Sequence, residues 1–275
     1  MAETRDPPED VFVFAVAFKL EISVAALQEI GVPEIPGFKN LTNLIRSKHP
    51  LGKYRERFED NLMKSLYTYF TTKFPDGEKF YRSMEYSCQG IKQVLSELTV
   101  ESPIDYQKTH LESIESTRIA AYGNDQLSAT RRLMKLFKLG DPALSLPAQK
   151  DQFNMIFENS YKAIHKMLMR LLDDGVLTRH KRYESVERIL SISDTWMENG
   201  RLKSDIRFIR NRFEHPDRID FYDHYSIKFD EHNTLDLHQE DLARMTTLMS
   251  IKCAQCELLF MVFFSLMLYT MQFGS

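Results

Sequence analysis

The chain has 275 residues, 43% of them hydrophobic and 27% charged, which suits one large domain or two modest ones and excludes a wholly disordered polymer. Only 10 Gly and 10 Pro leave long stretches without breakers, so helices are favoured over a many-turned β architecture. A formal net charge of −3 gives no global field for gripping nucleic acid, and any such contact must come from a local basic patch.

Taken in chain order, the first ten residues are acidic and contain proline, with neither the basic start nor the small-residue cleavage site of a secretory signal. A helix is expected from Val11 to Ile30, with Asp10 as its N-cap and Gly31 just past its end. The alternation within Val11 to Phe18 also permits a strand. A loop rich in Pro33, Pro36 and Gly37 follows. Phe58, Leu62, Leu66 and Phe70 recur every four residues and mark an amphipathic helix that ends before Pro75-Asp76-Gly77. Further helices are expected over Phe80 to Leu98, Tyr106 to Ala121 and Asp125 to Phe137. The stretch from Gly140 to Pro147 then divides an N-terminal helical region, residues 1–140, from a second helical domain, residues 148–275.

In that second part Asp151 is placed to cap a long helix running to about Gly175, with an apolar stripe from Phe153 through Ile156, Tyr161 and Leu168 to Leu172. A shorter helix spans Tyr183 to Ile192, and a third starts near Leu202. Two β-like runs, Ile219 to Tyr225 and Ser226 to Leu237, the second broken by Glu231-His232-Asn233, read as a hairpin. The last helix extends from about Gln239 to Phe273 and opens with Glu240 and Asp241, where the helix dipole favours acidic groups. The fold class is therefore all-α, with one small hairpin before the final helix.

Leu258 to Phe264 are seven consecutive apolar residues inside that helix. A spanning helix needs about 20 predominantly apolar residues, and Ser265, Thr270 and Gln272 interrupt the run, so a buried helix is expected, with no membrane association. Either the N-terminal half or a second copy of the chain could cover it. Cys253 and Cys256 are spaced Cys-x-x-Cys, but no second pair completes a zinc site, and Cys88 is the third and last cysteine. No metal and no cofactor are implied. An odd cysteine count without a disulfide framework fits a cytoplasmic chain.

The residues that carry chemistry cluster in Asp205-Ile206-Arg207-Phe208-Ile209-Arg210-Asn211-Arg212-Phe213-Glu214-His215-Pro216. Leu202, Ile206, Ile209 and Phe213 form the apolar stripe, while Arg207, Arg210, Asn211 and Glu214 share an adjoining polar face. Pro216 disfavours helical backbone at His215, so the imidazole leaves the helix axis and can turn toward Arg210. Arg210 offers a planar fork matched to two phosphate oxygens. His215 can exchange a proton near neutral pH, as base toward a ribose 2′-hydroxyl or as acid toward the leaving oxygen. Asn211 can orient the ring or hold a phosphate oxygen. Arg207, Arg212 and Glu214 flank them as substrate-binding candidates. Arg218 and His224 form a looser pair in the hairpin region.

The order of long helix, short helix, helix ending in Arg-Asn-x-x-x-His, hairpin and long apolar helix resembles the HEPN superfamily over roughly residues 148–275. The resemblance implies a HEPN-type helical bundle with Arg210 and His215 as the catalytic pair and Asn211 as the supporting polar group. It also implies a metal-independent endoribonuclease of the toxin or anti-phage kind, whose composite site forms across a homodimer and whose restraint can come from an antitoxin or other regulatory protein. Some members of the superfamily have lost catalysis and act as RNA-binding or scaffolding modules. Residues 1–140 carry no such resemblance.

Overall fold

The structure is a computed structural model, and it describes residues 11–74, 77–101, 143–155, 219–221, 225–228 and 234–274. These residues are predominantly helical: α1 (Val11–Glu29), α2 (Phe38–Arg46), α3 (Lys53–Lys73), α4 (Gly77–Glu101), α5 (residues 146–155) and α6 (Gln239–Phe273). Helices expected over Tyr106 to Ala121, Asp125 to Phe137, Tyr183 to Ile192 and from Leu202 onward lie outside the described residues, as does the N-cap assigned to Asp10.

The apolar start of α1 is helical, which settles its ambiguous alternation. Its C-terminus is a Schellman closure: Gly31 N–H donates to the Gln28 carbonyl at 2.9 Å, and Val32 N–H donates to the Leu27 carbonyl at 3.0 Å. Gly31 has φ 106°, and a Cβ there would stand 2.9 Å from the Tyr69 ring. Glycine is needed for both reasons.

The loop that follows is short because α2 begins immediately after Gly37, a helix that the Pro/Gly-rich segment in front of it masks in the sequence. Leu41, Thr42 and Ile45 give α2 a narrow buried stripe, and Phe38 packs at its edge. Val32 and Ile35 are buried and pin the connecting loop. Two polar side chains of α3 answer its carbonyls: Asn61 Nδ2 donates to Pro36 at 2.8 Å and Ser65 Oγ to Glu34 at 3.2 Å.

Helix α3 buries Phe58, Leu62, Ser65, Leu66, Tyr69 and Phe70, the expected four-residue stripe widened by one column. Helix α4 starts three residues before Phe80, at Gly77, whose Cβ position would fall on the backbone of α3 at Phe70. Phe80, Met84, Cys88, Ile91 and Leu95 form its inward face.

Helix α5 corrects one expectation. Asp151 is not a cap but an interior residue, because the helix is already under way at Leu146. Gln149 N–H donates to the Ser145 carbonyl at 3.0 Å. Pro147 fits the first turn, where a missing N–H leaves no helical bond broken. The remainder of the stripe, from Ile156 to Leu172, lies outside the described residues.

Between the helices, three short strands form an antiparallel meander: β1 (Ile219–Phe221), β2 (Tyr225–Lys228) and β3 (Thr234–Leu237), in the order β1-β2-β3. Phe221 pairs with Tyr225, and Lys228 pairs with Thr234. The second expected run, broken at Glu231-His232-Asn233, divides into β2 and β3, and Tyr225 opens β2 instead of ending the first run.

Helix α6 has 35 residues, about 50 Å at the helical rise. Its first turns bury Leu242 and Ala243, and Gln239 Nε2 donates to the Leu144 carbonyl at 3.2 Å, tying its start to the approach to α5. Its second half joins the core built by α1 to α4. Every residue from Leu258 to Tyr269 is buried there. Helices α1 and α4 supply the cover. Phe12, at the start of α1, meets Phe273, at the end of α6, with ring centroids 6.0 Å apart, so the two helices run antiparallel. Ala254–Phe273 is long and apolar enough to cross a membrane by length and composition, yet it is mostly buried against its own chain. The Tyr269 hydroxyl donates to the His49 carbonyl at 2.9 Å, with the Leu44 and Ile45 carbonyls at 3.4 Å. One side chain of α6 thereby closes the C-terminus of α2.

Candidate functional site

Arg207, Arg210, Asn211, Arg212, Glu214 and His215 all lie outside the described residues, together with Arg218 and His224. The structure neither joins nor separates them. Two other groupings of polar side chains emerge from the described helices, and neither was singled out from the sequence.

The first lies where α3, α4 and α6 meet. Arg55, in the first turn of α3, donates through Nε to Glu59 Oε1 at 2.9 Å and through Nη1 to Thr270 Oγ1 at 2.9 Å. The Thr270 hydroxyl passes its own proton to the Leu266 carbonyl at 2.7 Å, an ordinary back-bond within α6. Lys92, on α4, donates to Glu59 Oε2 at 2.5 Å and sits over the Phe263 ring, 5.0 Å from its centroid. One carboxylate therefore holds two cations, and the trio carries a net single positive charge. Glu59 is the most enclosed of the three, with 15% of its side chain exposed against 30% for Arg55 and 47% for Lys92. Beside them opens a cavity of about 420 Å³. Apart from Arg55, Lys92, Ser96 and Thr270, its described wall is apolar, from Leu95, Phe263, Met267 and Met271.

The second consists of buried polar groups on α1 and α6. Among the described residues, the Lys19 amine on α1 and the Ser265 hydroxyl and Gln255 amide on α6 are buried without a hydrogen-bond partner. Burial alone lowers the Lys19 amine from 10.5 to about 8. On the same helix as Ser265, burial raises the Glu257 carboxyl from 4.5 to about 8. Desolvation is the sole cause in each case, so the two groups do not answer one another.

The sequence held only faint traces of these arrangements. Arg55 and Glu59 are an i,i+4 pair of a kind found on most helical surfaces. Lys92 and Thr270 join them only through tertiary packing. Lys19 carried the clearer signal, a lone cation within an otherwise apolar stretch. Comparison with protein-family models, curated proteins and solved structures finds no match for the chain.

Proposed function

We propose that the chain is a metal-independent endoribonuclease of the HEPN type, a toxin or anti-phage effector acting through Arg210 and His215. The observation that carries this reading is the run Arg210-Asn211-Arg212-Phe213-Glu214-His215-Pro216, set within a chain whose described residues are mainly helical. A HEPN-type bundle over residues 148–275 would place the run at a helix end. In the proposed reaction, His215 takes the proton of a ribose 2′-hydroxyl. The 2′-oxygen then attacks the adjacent phosphorus, and the bond to the 5′-oxygen of the next nucleotide breaks. That oxygen leaves with a proton, giving a 2′,3′-cyclic phosphate and a 5′-hydroxyl. Arg210 neutralises charge that builds on the non-bridging oxygens. Asn211 orients the imidazole, and Arg207 and Arg212 attract the strand. The substrate supplies the nucleophile, which is why the chemistry needs no metal.

A composite site across a homodimer, and restraint by an antitoxin or similar protein, belong to the same proposal and rest on the resemblance. The apolar face of α6 lends the dimer no independent support, because α1 and α4 of the same chain cover its second half. Purified protein is expected to cleave RNA in the presence of EDTA and to leave cyclic phosphate ends. His215→Ala should abolish this without moving the thermal melt. RNA binding that survives His215→Ala, with no cleavage by the wild type either, would assign a catalytically silent RNA-binding module instead.

A further inference from the structure

The cavity between α3, α4 and α6 has the size and lining of a ligand site. Its volume of about 420 Å³ falls within the range of small-molecule pockets, roughly 300–1,000 Å³. Most of its described wall is apolar, and its charged groups are the Arg55 and Lys92 heads, with Ser96 and Thr270 as neutral polar neighbours. Glu59 and Thr270 fix the Arg55 guanidinium, and Glu59 and Phe263 fix the Lys92 ammonium. Both heads retain N–H donors beyond those bonds. Two cations against one carboxylate leave a single positive charge beside the apolar wall.

We propose that this cavity binds a monoanion with a flexible apolar tail, a carboxylate-headed acyl chain. Charge complementarity selects one negative charge, since a single acid already balances one of the two cations. The wall selects the tail. Met267 and Met271 are unbranched thioethers that adapt to a flexible chain, and Leu95 adds an aliphatic surface. A nucleobase would want an open aromatic face on which to stack. Among the described lining residues Phe263 is the one aromatic ring; it is 1% exposed and its face is taken by the Lys92 ammonium. The proposal does not depend on the nuclease reading.

The test is calorimetric titration of the full chain with decanoate and, in parallel, with decanol. Decanoate should bind one to one and at least about tenfold more tightly than decanol, the effect expected of a charge-assisted contact. Lys92→Gln should weaken decanoate by a similar factor and leave decanol unchanged. Met271→Trp, at the half-buried rim, should block both ligands while the thermal melt shows the fold intact. Equal affinity for decanoate and decanol, decanoate binding undiminished in Met271→Trp, or no binding by the wild type would each overturn the proposal.

Discussion

Single residues in this protein settle whether neighbouring helices can meet at all. Gly31 closes α1 in a left-handed conformation and lies under the Tyr69 ring, so Gly31→Ala suffers twice. Urea denaturation should show a loss of about 1–3 kcal/mol for the backbone strain and the displaced ring together. Tyr269→Phe removes the hydroxyl that meets three carbonyls at the end of α2. Its cost should be about 1–2 kcal/mol, with the urea midpoint lowered and the slope unchanged. Lys19 and Glu257 predict an unusual pH profile. The folded Glu257 carboxyl, raised from 4.5 to about 8, holds its proton longer than the unfolded one, so stability falls as pH rises from 4.5 to 8. The folded Lys19 amine, lowered from 10.5 to about 8, loses its proton earlier than the unfolded one, so stability rises from pH 8 to 10.5. A stability minimum near pH 8 is therefore expected in thermal melts across this range. Lys19→Met should remove the alkaline rise and raise the melting temperature at pH 7; an unchanged alkaline limb would contradict the burial of a charged amine at that position.

At the scale of elements, hydrophobic periodicity located what local pattern can locate. The stripe at Phe58, Leu62, Leu66 and Phe70 marked α3, Gly31 marked the end of α1, and Gln239 to Phe273 marked α6. Helix α2 escaped because three breakers in front of it drew the eye, although Phe38, Leu41 and Ile45 already stand at helical spacing. Asp151 misled for the opposite reason: a good capping residue sat in a helix that Pro147 had begun. The partners of α6 were illegible, since an all-apolar helix looks the same whether its own chain or another covers it. The Arg55–Glu59–Lys92–Thr270 cluster was illegible too, because its members are 215 residues apart at the extreme and meet only in the fold. The proposed catalytic residues, by contrast, rest on motif letters alone. The packing of α6 carries its own prediction. Deleting residues 1–30 removes α1 and uncovers the second half of α6, so that variant should bind the dye ANS strongly and aggregate, while the full chain should not.

At the scale of the molecule, α6 is the shared spine. Its first turns bury Leu242 and Ala243 and tie to the approach to α5 through Gln239, while its second half completes the core of α1 to α4. A continuous helix of about 50 Å thus links the N-terminal helices to the approach to α5. In the proposed nuclease, whatever binds beside Arg55 and Lys92 would touch the same helix that follows the catalytic segment in sequence. The central claim concerns two side chains, a guanidinium and an imidazole, acting on one phosphodiester. It is tested most directly by incubating wild type, Arg210→Ala and His215→Ala with a uniformly labelled single-stranded RNA in EDTA and resolving the products. The account predicts fragments with cyclic phosphate ends from the wild type and intact RNA from both variants at matched folding. Equal cleavage by wild type and His215→Ala would contradict it.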